Sequence, residues 1–253
     1  MGLVIYSDFG SAGAYLASRR VDALGAAGVQ VDWRAVEADP RAPVGGVPLA
    51  PADREELARE LDSVRELLLP GEDLPASPPT GRLNTGAAVA AYAEACGAGV
   101  ADDVRRLLFS AYWERGADIG NPEVLRRLLA GALMRSHSTS VPVREFGMAV
   151  TSTRGPITGG AARRIRDWAT QAEMLSDHAA AGPLTLPVLV VDGALPVSGE
   201  TALRRLEKAI LHAGAEVDPV LPDPRRYPPV SDPPALTWVS ATGGSWRYSY
   251  LAS

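Results

Sequence analysis

The sequence predicts an α/β protein with an all-helical insertion and a C-terminal β extension, and two stretches carry that prediction. The first is a strand, helix and strand over residues 3–36, and the second is an apolar pair flanking Asp192-Gly193, followed by an amphipathic helix. Leu3-Val4-Ile5-Tyr6-Ser7 is an apolar, β-branched run that reads as a buried strand. The chain turns at Asp8 through small residues and enters a helix from Ala14, carrying Leu16, Ala17, Val21 and Leu24 inward to a stop near Gly25 and Gly28. Val29 to Val36 alternates apolar and polar residues, the mark of a strand with one covered face. Two strands joined by a helix imply parallel pairing and a right-handed crossover.

From Pro51 to Leu69 the period becomes helical, with Leu57, Leu61, Val64 and Leu68 on one face and acids in the first turn. Pro70 to Leu83 is a proline-rich linker. Helices are expected from Thr85 to Cys96, from Asp102 to Arg115, and from Asn121, where Asn121 is the N-cap and Pro122 the first helical residue. Val141 to Val150 is expected to be extended. A helix from Ala161 to about Ala179 follows, then two apolar runs around Asp192-Gly193 that read as a hairpin, and a last helix from Thr201 to His212. Thr237 to Tyr250 reads as two strands joined across Gly243-Gly244. The domain layout expected is a core of residues 1–50 and 136–214, a helical insertion at 51–135, and a proline-rich extension at 215–253.

Composition narrows the class. The hydrophobic content is 46%, the charged content 22% and the net charge −5, with no basic patch, so nucleic acid is not an expected partner. No apolar run approaches the ~20 residues that cross a bilayer, and no basic and apolar leader opens the chain, so a cytoplasmic protein off the membrane is expected. Lys208 is the only lysine, which points to a GC-rich, bacterial genome. Cys96 is the only cysteine, so dithiol chemistry is excluded, and a packed thiol is expected. His137, His178 and His212 lack metal-ligand spacing, and no metal is expected.

The element order and several short motifs resemble the DsbA-like thioredoxin-fold family, in the branch of kappa-class glutathione transferases and 2-hydroxychromene-2-carboxylate isomerases. Ser7-Asp8-Phe9-Gly10-Ser11-Ala12-Gly13-Ala14-Tyr15-Leu16 is similar to the family's D-F-x-C-P-x-C-Y-L turn, with Ser11 and Ala14 at the two cysteine positions. In the transferases and isomerases a serine stands where Ser11 does. Asp32-Trp33-Arg34, Leu107 to Trp113, and Thr185-Leu186-Pro187 resemble the second strand, the helical insertion and the cis-proline loop. The resemblance departs at Ala12, where the family has proline, and at Glu200-Thr201, near the place of the transferases' glutathione-binding Ser-Asp pair.

The resemblance implies a small-molecule site at the opening turn, with Ser11 as the catalytic candidate. Gly10, Ala12, Gly13, Ala14 and Tyr15 would bind ligand from the turn, Tyr112 and Trp113 from the helical lid, and Leu186 and Pro187 from the loop. A helix N-terminus contributes ~0.3–1 kcal/mol to a nearby anion, too little to ionise a serine hydroxyl. Ser11 is therefore expected to donate a hydrogen bond to a bound anion, or simply to cap its helix. Neither a G-x-S-x-G elbow nor a G-x-G-x-x-G turn is complete here. The expected activity is that of a non-redox enzyme acting on a small organic anion or thiol adduct, as an isomerase or a thiol-dependent transferase. A low-molecular-weight thiol is the candidate cofactor, and a homodimer is left open. The alternative is a binding or partner protein that kept the fold and lost catalysis.

Overall fold

A computed structural model describes residues 2–43, 47–177 and 184–215. The expected C-terminal hairpin, His178 and the last turn of the helix expected to reach Ala179 lie outside the described residues.

The sheet is built on β1 (Leu3–Ser7), which pairs in parallel with β2 (Val31–Ala35), as a βαβ unit requires. On its other side β1 pairs antiparallel with β5 (Val188–Val191), and β5 with β6 (Val197–Ser198), giving the order β2-β1-β5-β6. The hairpin read at Asp192-Gly193 is present, with both residues at positive φ (49° and 72°), the backbone a tight reversal demands. Between β1 and β2 runs α1 (Ala12–Ala26), which packs against the terminal helix α8 (Gly199–Ala213).

The insertion is helical with one strand pair that the periodicity does not show: β3 (Val47–Pro48) and β4 (Gly81–Arg82) form a two-stranded ribbon bracketing α2 (Pro51–Arg65). Two-residue strands are too short to leave an alternating pattern. α3 (Gly86–Ala98) is buried nearly all round, because its alanines let neighbouring helices approach it closely. It packs on α7 (Gly159–Asp177), and its buried Glu94 accepts from the Thr158 N–H and hydroxyl at 2.6 and 2.8 Å, fixing the start of α7.

The helix expected from Asp102 to Arg115 is α4 (Ala101–Phe109), which widens into a π-helical turn at Ser110–Glu114. The extra residue per turn places both Tyr112 and Trp113 in the interior. α5 (Pro122–Leu133) begins as read, with Asn121 Oδ1 capping Glu123 N at 2.9 Å.

One expectation is corrected. Val141 to Val150 is not extended: its first part is α6 (Val141–Phe146), and only Val150 bridges, to Pro156. Pro142 stands in the first turn and Gly147 ends the helix at φ 59°, the proline-first, glycine-last pattern that outweighs the β-branched valines. A side chain on Gly147 would also lie 2.6 Å from Ala130 Cα.

The core is continuous from the sheet into the insertion. Phe9 stacks on Phe109 at 5.1 Å between ring centres, and Trp33 and Tyr15 meet Phe109 edge-on. Arg20 crosses it fully buried, with Glu72 gripping the guanidinium at 2.8 Å through both oxygens, and the carbonyls of Leu67 and Leu203 completing its shell. This one side chain ties α1 to α8 and to the end of α2.

Candidate active site

β1 delivers the chain to the site. Strand pairing holds Ser7, and the next residue, Asp8, is buried, 5% exposed, beneath the turn. Phe9 anchors the turn from behind: its ring lies in the core, and its carbonyl accepts from Trp113 Nε1 at 3.1 Å. Ser11 is the N-cap of α1, in extended backbone, with Oγ accepting from Ala14 N at 3.2 Å. The same hydroxyl donates to Asp8 Oδ1 at 3.1 Å. Its proton is thus committed to Asp8, not presented to solvent.

The first turn of α1 already holds an anion. Glu60, projecting from α2, accepts from Ala12 N at 2.8 Å and from Gly13 N at 3.4 Å. These are the unsatisfied donors at which a helix N-terminus favours negative charge. The anion expected as ligand is supplied here by the chain itself.

Asp8 and Glu60 are both held above the ordinary carboxylate range. For Asp8 the cause is burial, opposed by hydrogen bonds from the Ser11 side chain and the turn backbone. For Glu60 it is also burial, opposed by the Ala12 and Gly13 N–H groups and reinforced by the Asp8 and Glu56 charges. Both face a cleft of about 290 Å³ whose walls also carry Asp39, Asp53 and Glu56. Leu49, Leu57, Leu83 and Tyr112 provide its apolar and aromatic surface. The Tyr112 hydroxyl donates to the Gly81 carbonyl at 3.1 Å, and burial, with the Asp8 and Glu60 charges, pushes its pKa up to about 12.

Of the residues expected at the site, Gly10, Ser11 and Tyr112 line this cleft. Ala12, Gly13 and Ala14 are buried in the first turn and do not line the cleft; the Ala12 and Gly13 N–H groups meet it only through Glu60, and Ala14 N is bonded to Ser11 Oγ. Tyr15 is not on the wall: its ring packs against Trp113 and Phe109, and its hydroxyl donates to Glu114 Oε1 at 3.0 Å. Burial and the Glu114 charge hold that phenol far above its ordinary pKa. Trp113 is likewise interior. The Leu186-Pro187 bond is cis, as the resemblance implied, and this loop closes over Gly13, where an added Cβ would meet Pro187 Cδ at 3.1 Å. The loop supports α1 without lining the cleft.

What sequence reasoning missed is the acidic wall. Asp53, Glu56 and Glu60 recur at i, i+3 and i+7 and so share one face of α2, beside the apolar stripe of Leu57, Leu61 and Val64. The helix dipole accounts for acids at the start of the helix, Asp53 and Glu56, but not for Glu60, and the spacing is the available sign of a common face. Among the described residues no group of three or more His, Cys, Asp or Glu is placed to hold a metal.

Comparison with known proteins settles the family. A model of the DsbA-like thioredoxin domain matches residues 2–136, more than half of the chain. The chain belongs to the DsbA-like thioredoxin family. No curated protein matches it. Among solved structures it is similar to a probable DsbA oxidoreductase from Streptomyces coelicolor, at 20% identity and TM-score 0.58, over 87% of this chain and 92% of that one. It is also similar to the cytosolic disulfide reductase DsbM from Pseudomonas aeruginosa, determined with GSH, at 15% identity and TM-score 0.56, over 85% and 98% of the two chains. A third is 2-hydroxychromene-2-carboxylate isomerase, at 19% identity and TM-score 0.53, over 84% and 95%. These likenesses establish the fold. Within it, this family member has a single cysteine, Cys96, half-buried on α3, and therefore no Cys-x-x-Cys pair. No helix among the described residues is long and apolar enough to cross a membrane.

Proposed function

We propose that this DsbA-like protein is a non-redox, isomerase-type enzyme that moves a proton within a small organic molecule, with Asp8 and Glu60 as its acid–base pair and Ser11 between them. The observation that carries the reading is the pair itself: buried Asp8 and half-buried Glu60, both with raised pKa, on the wall of the one cleft that Ser11 also lines. Carboxyls tuned upward by burial serve near neutral pH as proton donors and acceptors. One carboxylate takes a proton from the substrate while the other, protonated, returns one at a second atom, so the enzyme ends the cycle unchanged in charge. When Asp8 carries a proton it donates to Ser11 Oγ, and the serine hydroxyl is released to donate to a substrate oxygen. An isomerase on the same fold is a precedent for the class of chemistry.

A thiolate cofactor does not fit this arrangement. The Ala12 and Gly13 N–H groups that would stabilise it donate to Glu60 instead, and every ionisable side chain on the wall except Tyr112 is a carboxylic acid. The group that meets the turn is therefore neutral or cationic, which moves any substrate anion away from α1. A cytoplasmic location goes with this reading.

The second reading, a ligand-binding protein without catalysis, is favoured by the committed Ser11 hydroxyl. Solvent-deuterium exchange separates the two. A panel of small carbonyl compounds is incubated in heavy water with wild type, Asp8→Asn and Glu60→Gln, and followed by NMR. Deuterium entering at least one compound with wild type, and reduced about a hundredfold in each variant, is the expected result. Compounds that stabilise the protein but exchange no faster than in buffer would establish the binding reading.

A further inference from the structure

A second cleft, of about 340 Å³, adjoins the first. The two share Leu83 and Tyr112, so the tyrosine ring stands between them, held by its bond to Gly81 on the ribbon of β3 and β4. Val47, Pro48 and Pro79 give the second cleft an apolar lining. Among the described residues, Arg54 is the one cation on the wall of either cleft. It comes from α2, one residue after Asp53, so the second cleft carries a cation that the first lacks, beside a single carboxylate, Asp118, whose Oδ1 accepts from Gly120 N at 3.0 Å. Each cleft alone lies near the ~300 Å³ lower bound for a small-molecule site, and together they reach well into the usual range.

We propose that the substrate is an elongated, bipolar molecule lying across both clefts. Its neutral or cationic head hydrogen-bonds Asp8 and Glu60, its apolar body crosses Tyr112 and Leu83, and a carboxylate at its far end pairs with Arg54. This rests on the acid–base reading of the first cleft and adds the length and charge of the ligand. An organic anion is then compatible with an acidic catalytic end, because its charge is held on the other side of the tyrosine. A guanidinium–carboxylate pair supplies direction as well as attraction, which fixes which end of the molecule reaches Asp8.

The test uses linear ω-amino carboxylates of about four to eight carbons, each paired with the alkylamine of the same length, titrated calorimetrically into the full chain. In wild type at least one amino carboxylate is expected to bind about tenfold more tightly than its amine. In Arg54→Ala, a change at an exposed position, that advantage disappears while the amine's affinity stays within about twofold. In Glu60→Gln both members of the pair weaken. Equal binding of amine and amino carboxylate to wild type at every length, or an advantage that survives Arg54→Ala, would overturn the bipolar assignment. So would the absence of binding by both series. The deuterium-exchange assay needs no carboxylate on its compounds, so failure here and failure of the acid–base reading are separately visible.

Discussion

Ser11→Ala removes two interactions of different character, and their pH dependence separates them. One is the N-cap bond from Ala14 N to Ser11 Oγ, whose loss typically costs about 1 kcal/mol at any pH. The other is the bond from the hydroxyl to Asp8 Oδ1, which contributes about 1.5 kcal/mol while Asp8 is ionised and weakens to a neutral bond, donated by Asp8, once the carboxyl is protonated. Asp8 has its folded pKa above the unfolded one, so its contribution to stability is complete at acid pH and is lost as pH rises through the folded value. The Ser11 hydroxyl lowers that pKa, so removing it raises the pKa further and deepens the loss on the alkaline side. The variant is therefore expected to be less stable by about 2.5 kcal/mol at a pH above the folded Asp8 value, and by less at a pH below it, where the lost bond is a neutral one. For a domain of this size the alkaline figure corresponds to a fall in Tm of about 5–10 °C. Urea unfolding at the two pH values, with carbon-13 NMR titration of the Asp8 carboxyl, measures both quantities. An equal cost at both pH values, with Asp8 titrating as in wild type, would refute the proposed coupling.

Three further outcomes follow from named contacts. In Asp8→Asn the Glu60 carboxyl loses a neighbouring charge, and its pKa, read by carbon-13 NMR, moves down towards the ordinary value while staying above it because burial remains. Arg20→Met leaves Glu72 buried and unpaired, and denaturation is expected to show a loss of about 3–5 kcal/mol, largely recovered in Arg20→Met with Glu72→Met. Burial pushes the Cys96 thiol up to about 11, so at pH 8 about a thousandth is thiolate; its reaction with a disulfide reagent should be slow until urea unfolds the chain.

The fold was largely legible because its evidence is local and periodic. The apolar run of β1, the alternation over β2, the N-caps Ser11 and Asn121, and the Asp192-Gly193 reversal each lie within a few residues of the structure they specify. The misreading at Val141 arose where two local signals conflict, β-branched valines against a Pro142 and Gly147 frame, and the frame won because it fixes backbone angles at both ends. The π-helical turn at Ser110–Glu114 has no periodic signature at all, yet it decides that Tyr112 reaches the cleft while Trp113 holds Phe9.

The site was legible only in part, for a reason that bears on its chemistry. Local sequence identifies Ser11 as a cap and shows that the N–H groups of Ala12 and Gly13 need a partner. It does not say which group meets them, since Glu60 lies 48 residues from Ala12 and arrives only when α2 packs on α1. An anion from outside and an anion from the chain satisfy the same donors, but they assign opposite charges to the ligand. With Glu60 in place the turn repels a thiolate and becomes half of a carboxyl pair. On the proposed acid–base reading, the choice between a transferase-like and an isomerase-like site rests on one side chain of the insertion, and Glu60→Ala, which leaves the Ala12 and Gly13 N–H groups without their acceptor, should be the change that makes the first turn of α1 receptive to a ligand anion.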